Sequence, residues 1–301
     1  MDSLLTTETT RWIESKIGTP IRSVSQLKGA TSSTLYKIIG IDDRPIVLRL
    51  LTNADWLASE PDLARHEAAA LDHVNLHSNA SQTYPRCIAY DESGSDAGLA
   101  AVLMSFVDGD VVLPQTADAE WVAQLASTLT AIHQLPVDGF EWRYRHWFKL
   151  DQLKQFSFSW SSIPHIWQQG VSFLDRPDPT FTPRFLHRDY HPVNLLWQDK
   201  EVSGVVDWVN ACVGPPLVDV GHCRVNLTSL YGLEMANLFL EKYLEMNPTV
   251  DYTPFWDLTC MLSFGVDEPP SVYSGWLDFG FSGLTPKIIA SRMDSFIASL
   301  F

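Results

Sequence analysis

Basic residues are scarce in this chain. Its 301 residues hold 21 Lys and Arg against 36 Asp and Glu, a formal charge of −15. Such a surface repels phosphate backbones, which argues against a nucleic-acid partner. Cysteine is scarce too: Cys87, Cys212, Cys223 and Cys260 are scattered without a C-x-x-C pair. That argues against a disulfide framework or zinc knuckle and fits reduced thiols. No run of about 18 apolar residues occurs, so no ordinary membrane span is expected. The start, MDSLLTTETTRWIESK, lacks a basic stretch leading into an apolar core. No secretory leader is expected from it, and a cytoplasmic location follows. Charged residues make up 19% and apolar ones 46%, enough for a packed core with little room for disorder. There is no G-x-x-x-x-G-K, so a P-loop fold is not supported.

What is present concentrates between Arg184 and Asp219: RFLHRDYHPVNLLWQDKEVSGVVDWVNACVGPPLVD. His187-Arg188-Asp189 is followed, five positions after the aspartate, by Asn194, and an apolar ribbon then ends on Asp207-Trp208. H-R-D-x-x-x-x-N is the catalytic-loop signature of phosphoryl transfer in the kinase fold. The chemistry needs one carboxylate facing the attacking hydroxyl, and an amide and a second carboxylate to hold Mg²⁺ against the phosphates. Asp189 and Asn194 can face one cavity from a tight loop, and Asp207 returns to it along the hairpin Leu195–Val206. A rival reading belongs to another enzyme class. His187, Asp189, His191, Asp207 and His222 are residue types that a metal-dependent hydrolase uses. It leaves Asn194 and the first hundred residues without a role.

HRDYHPVNLLW, GVVDW and GPPLVDVGH together resemble the aminoglycoside phosphotransferase family, which includes choline kinase-like enzymes, a small-molecule branch of the kinase-like fold. The resemblance implies an α+β, two-lobed protein-kinase-like architecture. Residues 1–104 would form a nucleotide-binding lobe with a five-stranded antiparallel sheet plus a helix, residues 105–109 a hinge, and residues 110–301 a mostly helical catalytic and substrate-binding lobe. ATP or GTP and Mg²⁺ are the implied cofactors. Asp189 would be the catalytic base and Asn194 and Asp207 the metal ligands, with His187 and Asp219 supporting the loop. Adenine would dock on the backbone of Ser105 and Val107.

The order of elements agrees with this. Thr7–Ile17 has Trp12, Ile13 and Ile17 at helical spacing. Strand-like runs follow at 21–27, 33–41 and 45–51, with Asp42-Asp43 turning between the last two. Between the first pair lies Lys28-Gly29-Ala30-Thr31-Ser32-Ser33-Thr34. Gly29, Ser32, Ser33 and Thr34 are small residues whose backbone N–H groups could approach phosphates. Arg49 stands where the kinase pattern has lysine; it keeps the charge but carries a planar fork. Its partner would be Glu67, on the helical stretch 62–75. Strands around 87–90 and 99–106, a helix at 119–135, consecutive helices at 217–231 and 233–246, and a last helix from Thr285-Pro286 to about Leu300 complete the reading. The stretch 139–179 yields only one or two helices with irregular joints. Val193 is a departure, since the family commonly has glycine there.

Only eleven residues separate Asp207 from Asp219. That leaves no activation segment, so neither a protein substrate nor a phosphorylation switch is expected. The acceptor would be a hydroxyl on a small molecule. Residues 231–301 carry nine acids against three bases, with many aromatics. Asp257, Asp267 and Glu268 with Trp256 and Trp276 are therefore the candidate acceptor-binding residues. They favour a cationic acceptor, an aminoglycoside-like antibiotic or amino sugar first, with resistance as its consequence. A macrolide, choline or another amino alcohol is the alternative. A nucleotide-binding pseudokinase is the non-enzymatic reading, with Arg49 its only support.

Overall fold

The computed structural model describes residues 4–29, 32–78, 83–264 and 267–301. The chain starts with helix α1 (Thr7–Ile17), capped by the Thr6 hydroxyl, which accepts from the Thr9 amide at 3.1 Å, and closed by Gly18 at φ 70°. Strands β1 (Ile21–Gln26), β2 (Thr34–Gly40), β3 (Pro45–Leu50), β4 (Cys87–Asp91) and β5 (Ala101–Ser105) form one antiparallel sheet in the order β1-β2-β3-β5-β4. Strand alternation divides its faces. Ile46, Leu48 and Leu103 pack with Trp12 and Ile13 of α1. Val102 and Met104 belong to the main core with Leu63, Leu71 and Val74 of α3 (Leu63–His77). Arg49 lies on that second face, paired in register with Leu35 and Val102.

A short helix α2 (Ala54–Ser59), capped by Asn53, precedes α3 and has no counterpart in the sequence reading. Its six residues bury nothing fully, so no apolar period marks it. After β6 (Asp110–Val111) the chain is mainly helical. Helix α4 (Ala119–His133) buries Trp121, Leu125, Leu129 and Ile132 as their spacing predicts. The irregular stretch resolves into α5 (Leu150–Leu153) and α6 (Pro164–Phe173). Strands β7 (Arg184–Leu186) and β10 (Cys212–Gly214) pair with each other, and β8 (Leu195–Gln198) and β9 (Glu201–Val205) form a hairpin joined by β6. The loop between β7 and β8 carries the His187-Arg188-Asp189 signature and a 3₁₀ turn, Pro192–Asn194. Val193 sits in that turn without a positive φ, so the missing glycine is not needed for backbone reasons.

Helix α7 (Leu217–Tyr231) is buried on every side, with fourteen of its residues inside. It packs against α8 (Leu233–Met246), α9 (Pro254–Ser263) and α11 (Pro286–Ala298), while α10 (Ser274–Asp278) lies between the last two in sequence. The sequence does not announce α9 or α10: α9 is apolar nearly all round and α10 has five residues, so neither shows a clean period. The buried cation on α7 is answered by several groups. Arg224 bonds Asp257, Asn237 Oδ1 at 2.8 Å and the Ala236 carbonyl at 3.2 Å. On α11, buried Asp294 accepts from Ser161, Ser162 and Trp167, which ties the last helix to the start of α6. Among the described residues, no helix is long and apolar enough to cross a membrane.

Candidate active site

The loop after β7 is shaped by one carboxylate. Asp219, fully buried at the start of α7, accepts the amides of His187 at 2.8 Å and Arg188 at 2.7 Å on its two oxygens. His133 Nε2 lies 3.2 Å from the same group, and its Nδ1 meets the Tyr243 hydroxyl at 2.7 Å. Burial pushes the Asp219 carboxyl up, but His133 and the His187 amide outweigh it and keep it low, hence ionised. Held this way, Arg188 takes φ 71°, a conformation costly for a non-glycine residue. Its guanidinium lies 3.6 Å from the centre of the Trp147 ring.

His187 links the loop to the next hairpin. Its Nδ1 accepts from the Asp189 amide at 3.3 Å, so Nε2 carries the proton and donates to the Val206 carbonyl at 2.9 Å. Beyond Val206, Asp207 has φ 69°. Trp208 behind it is buried, donates to the Val205 carbonyl at 3.0 Å and stacks on Phe185. Asn194 donates to the Asp189 carbonyl at 2.8 Å and reaches Asp189 Oδ2 at 3.4 Å. Asn194 and Asp207 thereby face one cavity, and Asp189, bonded to Asn194, faces a second.

The first cavity, about 320 Å³, lies between the sheet and the hairpin. Val47, Met104 and Leu196 are among its apolar walls, Ser105 and Val107 border it, and Asn194 and Asp207 close its polar end. Arg49 is the buried cation there. Its guanidinium donates to Ser33 Oγ at 2.9 Å and to Asp207 Oδ1 at 2.9 Å, and its Nε pairs with Glu67 Oε2 at 2.9 Å. Burial lowers the Arg49 pKa, but Asp207 and Glu67 overcome this and raise it. Glu67 moves the other way: burial dominates and lifts it to about 7 despite Arg49. Gly29, at φ 87°, lies where an added Cβ would stand 2.9 Å from the Phe279 ring. Thr34 begins β2 beside it, and Ser32 and Ser33 precede it; Ala30 and Thr31 of that turn lie outside the described residues. Lys28 and Lys37 also border the cavity, Lys37 with its Nζ 3.8 Å over the Phe106 ring.

The family model of the phosphotransferase enzyme family matches residues 23–256. The chain belongs to that family, and it is a small-molecule phosphotransferase. No curated protein matches it in sequence. Among solved structures it is similar to a candidate aminoglycoside phosphotransferase from Ralstonia eutropha, at 18% identity and TM-score 0.63, over 96% of this chain and 95% of that one. A thermostable mutant of aminoglycoside phosphotransferase APH(4)-Ia, in ternary complex with AMP-PNP and hygromycin B, shares 17% identity at TM-score 0.63, over 98% and 99%. The macrolide 2'-phosphotransferase MphH from Brachybacterium faecium shares 14% at TM-score 0.59, over 94% and 96%. These likenesses show the fold: the phosphotransferase has the two-lobed, kinase-like α+β architecture.

The second cavity of this phosphotransferase, about 500 Å³, opens on the other side of Asp189. His191, His222, Phe264, Glu268, Tyr273 and Trp276 are among its walls. Of the acceptor candidates, the structure brings Glu268 and Trp276 here. Asp257 is elsewhere, buried and paired with Arg224 and with Tyr252 at 2.7 Å, and burial raises its pKa. Trp256 is buried beside it and borders a separate hollow with Arg184 and Asp251. Asp267 lies outside the lining and accepts from the Ser157 amide at 3.3 Å. A count of charges in sequence does not separate these, because pairing partners such as Arg224 lie on other helices. The sequence marks His191 and His222 only as hydrolase ligand types, and Phe279 and Tyr273 only as aromatics.

Glu67 makes stability depend on pH in a set direction. Its folded pKa lies above the ordinary glutamate value, so its contribution is full below about 4.5 and lost as pH rises through about 7. The stability of wild type relative to Glu67→Gln falls by up to about 3 kcal/mol between pH 4.5 and 8. Denaturant melts of both proteins across that range measure it; a pH-independent difference contradicts the assignment.

Proposed function

We propose that this phosphotransferase moves the γ-phosphoryl group of ATP or GTP, with Mg²⁺, onto a hydroxyl of a small molecule held in the 500 Å³ cavity. The observation that carries the reading is Asp189 on the wall of that cavity, hydrogen-bonded to Asn194, which lines the neighbouring hollow together with Asp207. In the proposed division, residues 1–104 hold the nucleotide, 105–109 form the hinge, and 110–301 supply catalysis and acceptor binding. Two neighbours' nucleotide complexes, with ADP and with AMP-PNP, support the nucleotide assignment by analogy.

Asn194 and Asp207 fit a hard cation. The Asn194 amide nitrogen is committed to Asp189, leaving its oxygen without a partner among the described residues, and Asp207 is about 29% exposed at the same cavity end. Two oxygen donors suit an ion that keeps waters and phosphate oxygens as its other ligands. When bound, Mg²⁺ would offset phosphate charge at that end. Arg49, backed by Glu67, adds a fixed positive charge, and Gly29 borders the same cavity. Asp189 orients the acceptor hydroxyl and accepts its proton. Burial pushes its pKa up, but His191, His222 and His187 pull it the other way and win, keeping the carboxylate ionised. Most of the acceleration is then positioning and charge complementarity.

The cavity wall favours one class of acceptor. Of the nine acids in residues 231–301, Glu268 alone borders it among the described residues, against Val225, Phe264, Trp276, Ile289 and Met293 on the apolar side. A polycation held by several carboxylates is poorly matched to such walls. A hydroxylated molecule with an apolar body and at most one cationic group, as in a macrolide, is matched better than an aminoglycoside. The hydrolase reading loses two of its five ligands: His187 is spent on Val206, and Asp207 lines the other cavity beside Arg49.

Release of ADP or GDP over a panel of macrolides, aminoglycosides, choline and other amino alcohols tests the reaction. Turnover on at least one compound is expected, and Asp189→Asn should lower kcat by at least ~100-fold with nucleotide affinity nearly unchanged. Near-normal turnover in that variant removes the assignment. On the preferred acceptor, Glu268→Gln should raise KM by ~3–10-fold with little change in kcat, and raising salt should change KM by less than ~3-fold. A steep salt dependence would restore the polycationic acceptor.

A further inference from the structure

One cluster at the acceptor cavity does more than proton transfer asks of it. Asp189 Oδ1 lies 3.0 Å from His222 Nε2 and 3.7 Å from His191 Nε2. One ligand atom from each of the three lies within 4.8 Å of the others. The two imidazoles come from different elements, His191 from the catalytic loop and His222 from α7, and their ring centres are 5.6 Å apart. Both rings are more than nine-tenths buried. His191 is not satisfied by protein. Its Nδ1 has no hydrogen-bond partner among the described residues, and 3.7 Å to Asp189 is too long for a hydrogen bond from Nε2. Buried polar groups are rarely left in that condition without a ligand or water to serve them.

Two imidazoles and one carboxylate, converging from one side with a hollow on the other, are a donor set for a borderline transition ion. Zn²⁺ takes such nitrogen and oxygen ligands at about 2.0–2.2 Å and keeps a fourth position open to water in sites of this kind. Small side-chain rotations would draw the three atoms onto one ion. The Mg²⁺ pair differs in chemistry, because Asn194 and Asp207 offer oxygen only. No thiol competes locally: all four cysteines are free, and none borders this cavity.

We propose that Asp189, His191 and His222 form a Zn²⁺-class metal site on the acceptor side, and that a bound ion and the acceptor hydroxyl exclude one another. The exclusion rests on Asp189 acting as the base; the metal binding does not, and the two fail separately. Zn²⁺ is titrated into the protein, without nucleotide or Mg²⁺, against a chromophoric chelator. One ion per chain is expected, with His191→Asn and His222→Asn each weakening it at least ~10-fold. Co²⁺ in wild type should give visible bands of nitrogen and oxygen ligation with no thiolate charge-transfer band, a readout that needs no variant to fold. No stoichiometric binding, equal binding in both variants, or a thiolate band overturns the site. With the best acceptor of the panel, Zn²⁺ should inhibit competitively against acceptor and not against nucleotide, and a chelator should restore turnover. Competition against nucleotide instead overturns the exclusion.

Discussion

The buried charge of Arg49 is the constraint on which the proposed nucleotide side of the structure depends. Its side chain is about 4% exposed, and it holds Ser33 just before β2, Glu67 on α3 and Asp207 beyond the β9 strand at once. Three elements far apart in sequence are registered on one guanidinium. Burying such a group costs several kcal/mol unless its partners are well placed, and removing a partner leaves an uncompensated charge. The planar fork serves three directions from one side chain, which an ammonium on a flexible stem does less rigidly. The departure from lysine therefore has a local reason. Asp207 is both the partner of Arg49 and the proposed metal ligand, so nucleotide with its ion must share or displace that contact.

The second fixed point is Asp219. By taking two consecutive amides it holds the backbone turn at Arg188 and sets Asp189 at the 500 Å³ cavity. His187 then couples that loop to Val206, one residue before Asp207. The two proposed catalytic carboxylates are thus positioned by groups that touch neither substrate. Strain at Arg188 and Asp207 is held in place by buried hydrogen bonds and by Trp208 packed against Phe185 and His187.

Much of this is legible in the chain. Helices α7 and α8 fall at 217–231 and 233–246, where the sequence places them, because glycine and a composition change mark their joint. The catalytic loop is legible because its chemistry fixes spacing within a few residues. The acceptor wall is not. Its residues come from the loop after β7, from α7, from α10 and the segment before it, and from α11, and nothing in linear order tells Glu268, which borders the cavity, from Asp257, which neutralises Arg224. Charge counts report a region's balance, while burial and pairing decide which charges a ligand meets. Helix α9 escapes the sequence reading because its ten residues, PFWDLTCMLS, are too short an apolar run to tell a helix from a strand.

Arg49 as the cation that holds the nucleotide phosphates is the claim on which the proposed chemistry most directly stands. Calorimetric binding of AMP-PNP with Mg²⁺ to wild type, Arg49→Lys and Arg49→Ala tests it without any acceptor. Arg49→Ala should lose affinity by at least ~10-fold, on the scale of one lost charge-assisted contact, and Arg49→Lys should recover part of it. Equal affinity in all three proteins, with each shown to be folded, would contradict that role and move the phosphate contact to Lys28 or Lys37.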